Sequence, residues 1–249
     1  MTCDAHIHMG YFPRVGYAEP FYYSPRRIVG VMNRCGVDQF IVSSTCAQVE
    51  GILIKDMIRE AQEMKRLAGR RAHVFCWISG RMIDEDPQLS FLECGCYEGI
   101  KLHEGETAWN RERPSDLARI LSEAQSRRWP VQFHCGESEG MRPVELAKWA
   151  ERFPMVNFDF AHCRPMDEMA EVIATHENVF TDCSFMPADL VARLREYDWR
   201  ERLMFGSDFP AYHAHGDGKC RFAERYRANI RLWNSLHMDA ERAFAQYLG

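Results

Sequence analysis

Short apolar runs rich in β-branched and aromatic residues alternate along this chain with longer stretches of helical period. "CDAHIH" reads as a first strand. "SPRRIVGVMNRCG" then reads as a helix, with Ser24 as N-cap, Pro25 at the first helical position and Gly36 at the stop. "DQFIVSS" is a second strand. "IKDMIREAQEMKRLAG" is a long amphipathic helix whose apolar residues fall at 54, 57, 58, 61, 64 and 67, closed by Gly69. "AHVFCWIS" is a third strand, followed by a short helix near 87–94, and "YEGIKLH" is a fourth. "SDLARILSEAQSRRW" is the next helix.

The second half keeps the rhythm. The strands "PVQFHCG", "VNFDFAHC", "NVFTDCS" and "RLMFGSD" alternate with the helices "PVELAKWAERF", "DEMAEVIATH" and "ADLVARLREY", and helices near 220–235 and 239–248 close the chain. Alternation of this kind predicts a parallel sheet with crossover helices. Eight strand–helix units in 249 residues, without a linker or low-complexity stretch, predict one domain over 1–249 with a (β/α)8 TIM-barrel fold. A doubly wound open sheet is the alternative, but no G-x-G-x-x-G turn follows the first strand.

Composition narrows the class. Hydrophobic residues make up 46% and charged residues 27%, as in a soluble globular protein. A formal net charge of -5 with scattered basic residues argues against a nucleic-acid partner. No apolar run approaches the roughly 18–20 residues of a membrane span, and no leader pattern precedes Asp4 and His6. The expectation is a cytoplasmic protein acting on a small-molecule substrate, with homo-oligomerisation left open. Cys35, Cys46, Cys76, Cys135, Cys163 and Cys183 sit in apolar runs and read as small buried hydrophobes. Cys94 and Cys96 have no second cysteine pair nearby and make a poor zinc ribbon.

The histidines change the picture. His6-x-His8 alone is weak, because 10 histidines in a chain of this length give roughly 0.4 such pairs by chance. A second pair, His213 and His215, lies in a loop-like stretch. Residues i and i+2 of a strand point the same way, so His6 and His8 project together at the C-terminal end of the first strand, where barrel active sites are built. The fifth strand ends in His134, the sixth in His162 and the eighth in Asp208, and the fourth carries Lys101 and His103. A satisfied core histidine explains any one of these positions. It explains poorly a recurrence at the same strand end, whereas imidazoles plus a carboxylate converging from several strands suit a catalytic Zn²⁺-type site. Asp4, two residues before His6, is expected to point into the barrel one layer deeper, as a structural group or a support for the ligands.

These motifs give the chain its resemblance. "DAHIH", "GIKLHE", "VQFHCGE", "FDFAHC", "NVFTDCS" and "MFGSDFP", in this order and spacing, resemble the metal-dependent amidohydrolase superfamily, in particular its amidohydrolase-2 branch of TIM-barrel hydrolases and decarboxylases. The resemblance implies His6, His8, His134 and Asp208 as metal ligands and Asp208 and His162 as catalytic residues. His162 would bind a second metal or contact substrate and the reacting water. It implies one divalent ion, Zn²⁺ ahead of Mn²⁺, Fe²⁺ or Ni²⁺, with a second if Lys101 were carbamylated. The stretch after His162 departs from the branch: Cys163, Arg164 and Pro165 stand where a small residue and glycine are common.

Lys101, His103, Glu137, Arg164 and His213 are candidate substrate contacts. Arg164 suits a substrate carboxylate, but a surface arginine has the same sequence signature. The aromatic 9–24 loop is a candidate wall over the substrate or a subunit contact. The function expected is a metal-dependent hydrolase that turns metal-activated water on an amide, lactone or ester bond of a small polar substrate. A non-oxidative decarboxylase of a small carboxylic acid is the alternative, and a non-catalytic barrel used as a binding module is a second one.

Overall fold

The computed structural model describes residues 1–12, 20–186, 188–197, 199, 201–211, 222–235 and 240–249. It is a mixed α/β structure built on one nine-stranded sheet. The strands are β1 (Cys3–Phe12), β2 (Phe21–Tyr23), β3 (Gln39–Ser44), β4 (Ala72–Trp77), β5 (Gly99–His103), β6 (Val131–His134), β7 (Phe158–Ala161), β8 (Val179–Asp182) and β9 (Leu203–Met204). Their order is β2-β1-β3-β4-β5-β6-β7-β8-β9. All neighbours pair in parallel except β1 and β2. The eight predicted strands are thus β1 and β3–β9.

Helices lie between the parallel strands, as crossover connections require. The first begins as its sequence predicts: Ser24 Oγ accepts from Arg27 N at 3.3 Å, Pro25 opens the helix Pro25–Cys35, and Gly36 takes a left-handed φ of 71° to end it. The helix Ile54–Ala68 buries Met57, Ala61, Met64 and Ala68 along one face. Among the described residues no helix is long and apolar enough to cross a membrane.

Three local expectations differ. The region near 87–94 is a 3₁₀ turn, Ser90–Cys94, preceded by the helix Gly80–Glu85. Part of the aromatic 9–24 stretch is sheet: β1 runs on to Phe12 and pairs with β2 through Gly10–Tyr23, Tyr11–Tyr22 and Phe12–Phe21. Its aromatics pack on one another and on Phe209 (Phe12–Phe21 4.8 Å, Tyr23–Phe209 5.1 Å between ring centroids), so among the described residues they form a covering hairpin rather than a free loop. The last strand is only two residues long, Leu203–Met204, and the backbone beyond it takes a left-handed φ of +50° at Asp208.

The sheet is curled. Residues 205–209, just beyond β9, bond to β1: Ala5 N to Phe205 O at 2.8 Å, Asp208 N to His6 O at 2.8 Å and His8 N to Phe209 O at 2.7 Å. The helix Ala240–Leu248 covers one part of the core, packing Ala243, Phe244 and Tyr247 with Ala5, Phe75, Phe180 and Met204.

The enclosed face of the sheet is polar. The register sets Lys101 beside Gln132 and Gln132 beside Asp159, all 0–1% exposed. Gln132 Nε2 donates to Asp159 Oδ2 at 2.7 Å and to Ala5 O at 3.0 Å. Two residues further along each strand, the same register sets His103 beside His134. Burying so many polar groups is unfavourable unless they bond to one another or serve a site.

The six cysteines expected to be buried are buried and free, and Cys3 joins them. Cys94 and Cys96 instead bond to each other as a disulfide.

Candidate active site

β1 delivers its two histidines through a break in its own regularity. Its register against β3 shifts between Asp4 and Ile7. Asp4 therefore does not stack beneath His6. Its carboxylate turns to the helix Phe222–Ser235 and to the end of the sheet, accepting from Tyr226 Oη at 2.8 Å, Ser207 N at 3.0 Å and His6 N at 3.1 Å. Asp4 is the structural group expected, but not on the face expected.

His6 sits at the centre. Its Nδ1 lies 2.9 Å from Asp182 Oδ2. An ionised carboxylate only accepts, so Nδ1 carries the proton and Nε2 offers its lone pair inward. Facing that lone pair are His8 Nε2 at 3.1 Å, Lys101 Nζ at 3.2 Å and Asp208 Oδ1 at 3.8 Å. His8 Nε2 is also 3.1 Å from Asp208 Oδ1, and its Nδ1 is fixed by Ser43 Oγ at 3.0 Å. His162 is oriented in the same way as His6. Its Nδ1 donates to Ser184 O at 3.2 Å, so its Nε2 lone pair faces His134 Nδ1 at 3.0 Å. Acceptor groups behind an imidazole that fix its tautomer are the usual support of metal-binding histidines.

The rings form a closed circuit of contacts. His8 meets His6 (4.8 Å between centroids), His6 meets His162 (5.0 Å), His162 meets His134 (4.6 Å) and His134 stacks on His103 (3.9 Å). Trp77 closes it against His103 (6.0 Å) and His8 (5.0 Å). Lys101, 0% exposed, reaches His6 from β5.

Burial sets the electrostatics. It lowers His8 to about 4 and His103 and His162 to about 3, and holds His134 well below the usual imidazole range. These four imidazoles are neutral at pH 7. Burial alone would raise Asp208. The hydrogen bond with His8 and the fields of the surrounding imidazoles outweigh it and keep this carboxyl well below the usual carboxylate range. The same contest, won by His6, holds Asp182 low.

A pH dependence follows. An imidazole lowered in the folded state binds its proton more readily when unfolded, so stability rises with pH between the two values. The stability of chelator-treated protein is expected to fall as pH drops from about 6.5 towards 4. Urea unfolding at pH 7.5 and pH 5 checks this, and an unchanged midpoint would contradict it.

Among the described residues two groups of three offer ligand atoms all within 4.8 Å of one another: His6, His8 and Asp208, and His6, His162 and Asp182. In the second group Ser184 Oγ bonds both rings, at 3.0 Å to His6 Nδ1 and 2.9 Å to His162 Nδ1, so this group reads as the orienting network. The first has two neutral-type nitrogens and an ionised oxygen facing one point, a donor set that suits a divalent ion of the zinc type.

Of the residues proposed from sequence, His6, His8 and Asp208 converge. His134 lies against His162 and His103 and belongs to neither group of three. Glu137 and Arg164 line a cavity of about 390 Å³ with His162, Phe185, Met186 and Arg193. His213 and His215 lie outside the described residues.

Asp182, Ser184, Ser43 and Trp77 were not singled out from sequence. "FTDCS" was visible, but its aspartate gains meaning only from a contact 176 residues away. Two site residues also have left-handed backbone, His162 at φ +76° and Asp208 at +50°. Such backbone is unfavourable for a residue with a Cβ and clusters at functional sites.

Gly206 makes the close packing possible. A Cβ there would lie 2.9 Å from Asp182 Oδ1 and 3.0 Å from His6 Cβ. Gly206→Ala is expected to destabilise by about 1–3 kcal/mol and to weaken metal binding by displacing both residues. Thermal unfolding with metal titration checks it, and a variant equal to wild type in both would refute the packing argument.

A sequence model described as "Amidohydrolase" matches residues 61–219. No curated protein matches the chain. Solved structures similar in fold include an amidohydrolase from Burkholderia multivorans with bound zinc (TM-score 0.69, 14% identity, 100% of this chain and 99% of that one covered). A putative 2-pyrone-4,6-dicarboxylic acid hydrolase from Pseudomonas putida follows (0.64, 14%, 99% and 97%). A 4-oxalomesaconate hydratase from Rhodopseudomonas palustris is more distant (0.56, 12%, 89% and 83%). At these identities the likeness is one of fold.

Proposed function

We propose that this chain, which belongs to the amidohydrolase family and is an enzyme of that type, is a metal-dependent hydrolase acting on an amide, lactone or ester bond of a small polar substrate. The observation that carries the reading is the convergence of His6 Nε2, His8 Nε2 and Asp208 Oδ1, with His6 oriented from behind by Asp182. His6, His8 and Asp208 would hold one divalent ion, with His134 as a further ligand. Zn²⁺ is the first choice, and the zinc-bound fold relative is in keeping with it. Lys101 would bring in a second ion only as a carbamate. We also take the sheet to close as a (β/α)8 barrel, which the bonds from β1 to residues 205–209 support.

When bound, the ion lowers the pKa of a coordinated water to about 7 and polarises the substrate carbonyl. Asp208, ionised, takes the proton of the attacking water and passes it to the leaving group. His162, neutral and fixed through Nδ1, presents its Nε2 lone pair and would orient the water by accepting a hydrogen bond from it. Arg164 and Glu137, in the cavity beside His162, contact the substrate body.

Metal analysis and a substrate panel test the reading. Protein purified without added metal is expected to carry about one equivalent, and chelation should abolish lactone or amide hydrolysis reversibly. Less than about a tenth of an equivalent, with no gain on reconstitution, would refute a catalytic metal. Release of carbon dioxide from carboxylic acids without any hydrolysis would replace the hydrolase by a decarboxylase.

A further inference from the structure

The polar interior of the sheet holds a carboxyl group that the reaction above does not use. Asp159, on β7, is fully buried. It pairs in register with Phe180, and Asp182 stands two residues further along β8 on the same face. Asp159 thus lies one layer beneath Asp182, and the two side chains are within hydrogen-bonding reach of each other. Their donors are unequally shared. Asp182 accepts from His6 Nδ1 at 2.9 Å, Ser184 N at 2.7 Å and His162 N at 3.4 Å. Asp159 accepts from Gln132 Nε2 at 2.7 Å through Oδ2, while its Oδ1 is buried with no donor among the described residues.

Two touching carboxyl groups do not both ionise in a buried site, and the one with more donors keeps the charge. Here that is Asp182. The other ionisable groups around Asp159 are Lys101 from β5 and Tyr247 from the helix Ala240–Leu248. Burial, and then the Asp182 charge, hold Asp159 well above the usual carboxylate range against the opposing pull of Gln132 and Lys101. A proton on Asp159 satisfies both groups. The acid accepts from Gln132 through one oxygen and donates to Asp182 from the other. Asp182 is in turn the acceptor that fixes the His6 ring, and hydrogen bonds behind a metal-binding imidazole set its direction.

We propose that Asp159 is a neutral carboxylic acid whose hydrogen bond holds Asp182, so that Asp159, Asp182 and His6 form one chain that aims His6 Nε2. Asp159 is then a positioning residue, two steps removed from the metal site. The positioning role rests on the metal-dependent reading above; the proton on Asp159 does not.

Infrared difference spectra of chelator-treated wild type and Asp159→Asn at pH 7 test the proton directly. The wild type is expected to show the carbonyl stretch of a neutral carboxylic acid that the variant lacks. A carboxylate band in its place would overturn the proposal. Zinc titration of the same proteins tests the positioning. Asparagine keeps the acid's acceptor and donor and carries no charge, so Asp159→Asn should bind zinc within about threefold of wild type. Asp159→Ala removes the donor to Asp182 and should bind zinc roughly tenfold or more weakly, as loss of a group supporting a ligand commonly does. Unchanged affinity in Asp159→Ala, or an equal loss in Asp159→Asn, would overturn the positioning role. Should Asp159→Ala fail to fold, the infrared comparison and Asp159→Asn still decide. A wild type that bound no zinc would refute the metal-dependent reading and the positioning role together, and the infrared band would still settle the proton.

Discussion

Asp208→Asn is expected to lower kcat by roughly 10²- to 10⁴-fold, the usual worth of a positioned acid–base group, while the protein stays folded and keeps most of its metal. The structure gives a reason for each part. Asp208 has a φ of +50°, a region that asparagine tolerates better than most residues. An asparagine side chain still presents an oxygen towards His8 Nε2, which now lies 3.1 Å from Asp208 Oδ1. What it loses is charge and basicity. The bond with His8 and the imidazoles around Asp208 keep its carboxyl ionised far below neutral pH, so it stands as a charged acceptor across the working range. Steady-state kinetics with metal content measured on the same preparation checks this. A variant within a few-fold of wild-type kcat would remove Asp208 from proton transfer. A variant that lost its metal as well would make it chiefly a ligand.

Much of this centre was legible in the sequence because strand geometry is simple. Period-two alternation carries His6 with His8 and Lys101 with His103, and the β5–β6 register then sets His103 beside His134. Strand ends also declared themselves, since His134, His162 and Asp208 each close an apolar run. The limits are equally physical. A register shift inside β1 sends Asp4 to Tyr226 instead of beneath His6, and no pattern of residue types marks that break. Left-handed backbone at His162 and Asp208 aims side chains in ways that alternation does not encode. Asp182, Ser184 and Ser43 are ordinary strand-end residues until the sheet curls and sets them behind His6, His162 and His8.

His6→Ala is expected to have the largest effect on the protein as a whole, because one ring serves two purposes. Through Nε2 it faces His8, Lys101 and Asp208. Through Nδ1 it satisfies Asp182, which is 0% exposed and ionised. Alanine removes an inward-facing nitrogen, so metal content should fall to near zero and turnover with it. It also removes the imidazole donor to the Asp182 carboxylate, which keeps the backbone donors Ser184 N at 2.7 Å and His162 N at 3.4 Å, and losing a hydrogen bond to a buried charged group costs about 1.5–3 kcal/mol. A second substitution separates the two losses. Glutamine retains an N–H donor that can reach a carboxylate but no imidazole lone pair. His6→Gln should therefore recover a good part of the lost stability and none of the metal. Urea unfolding and metal analysis across wild type and both variants read the two quantities independently. If His6→Ala kept close to one equivalent of metal, the ion would have to bind elsewhere, and the His134–His162 pair would be the next place to look, since its two facing nitrogens are also 3.0 Å apart. If both variants lost metal while neither lost stability, the bond from His6 to Asp182 would be an orienting contact with no weight in the fold.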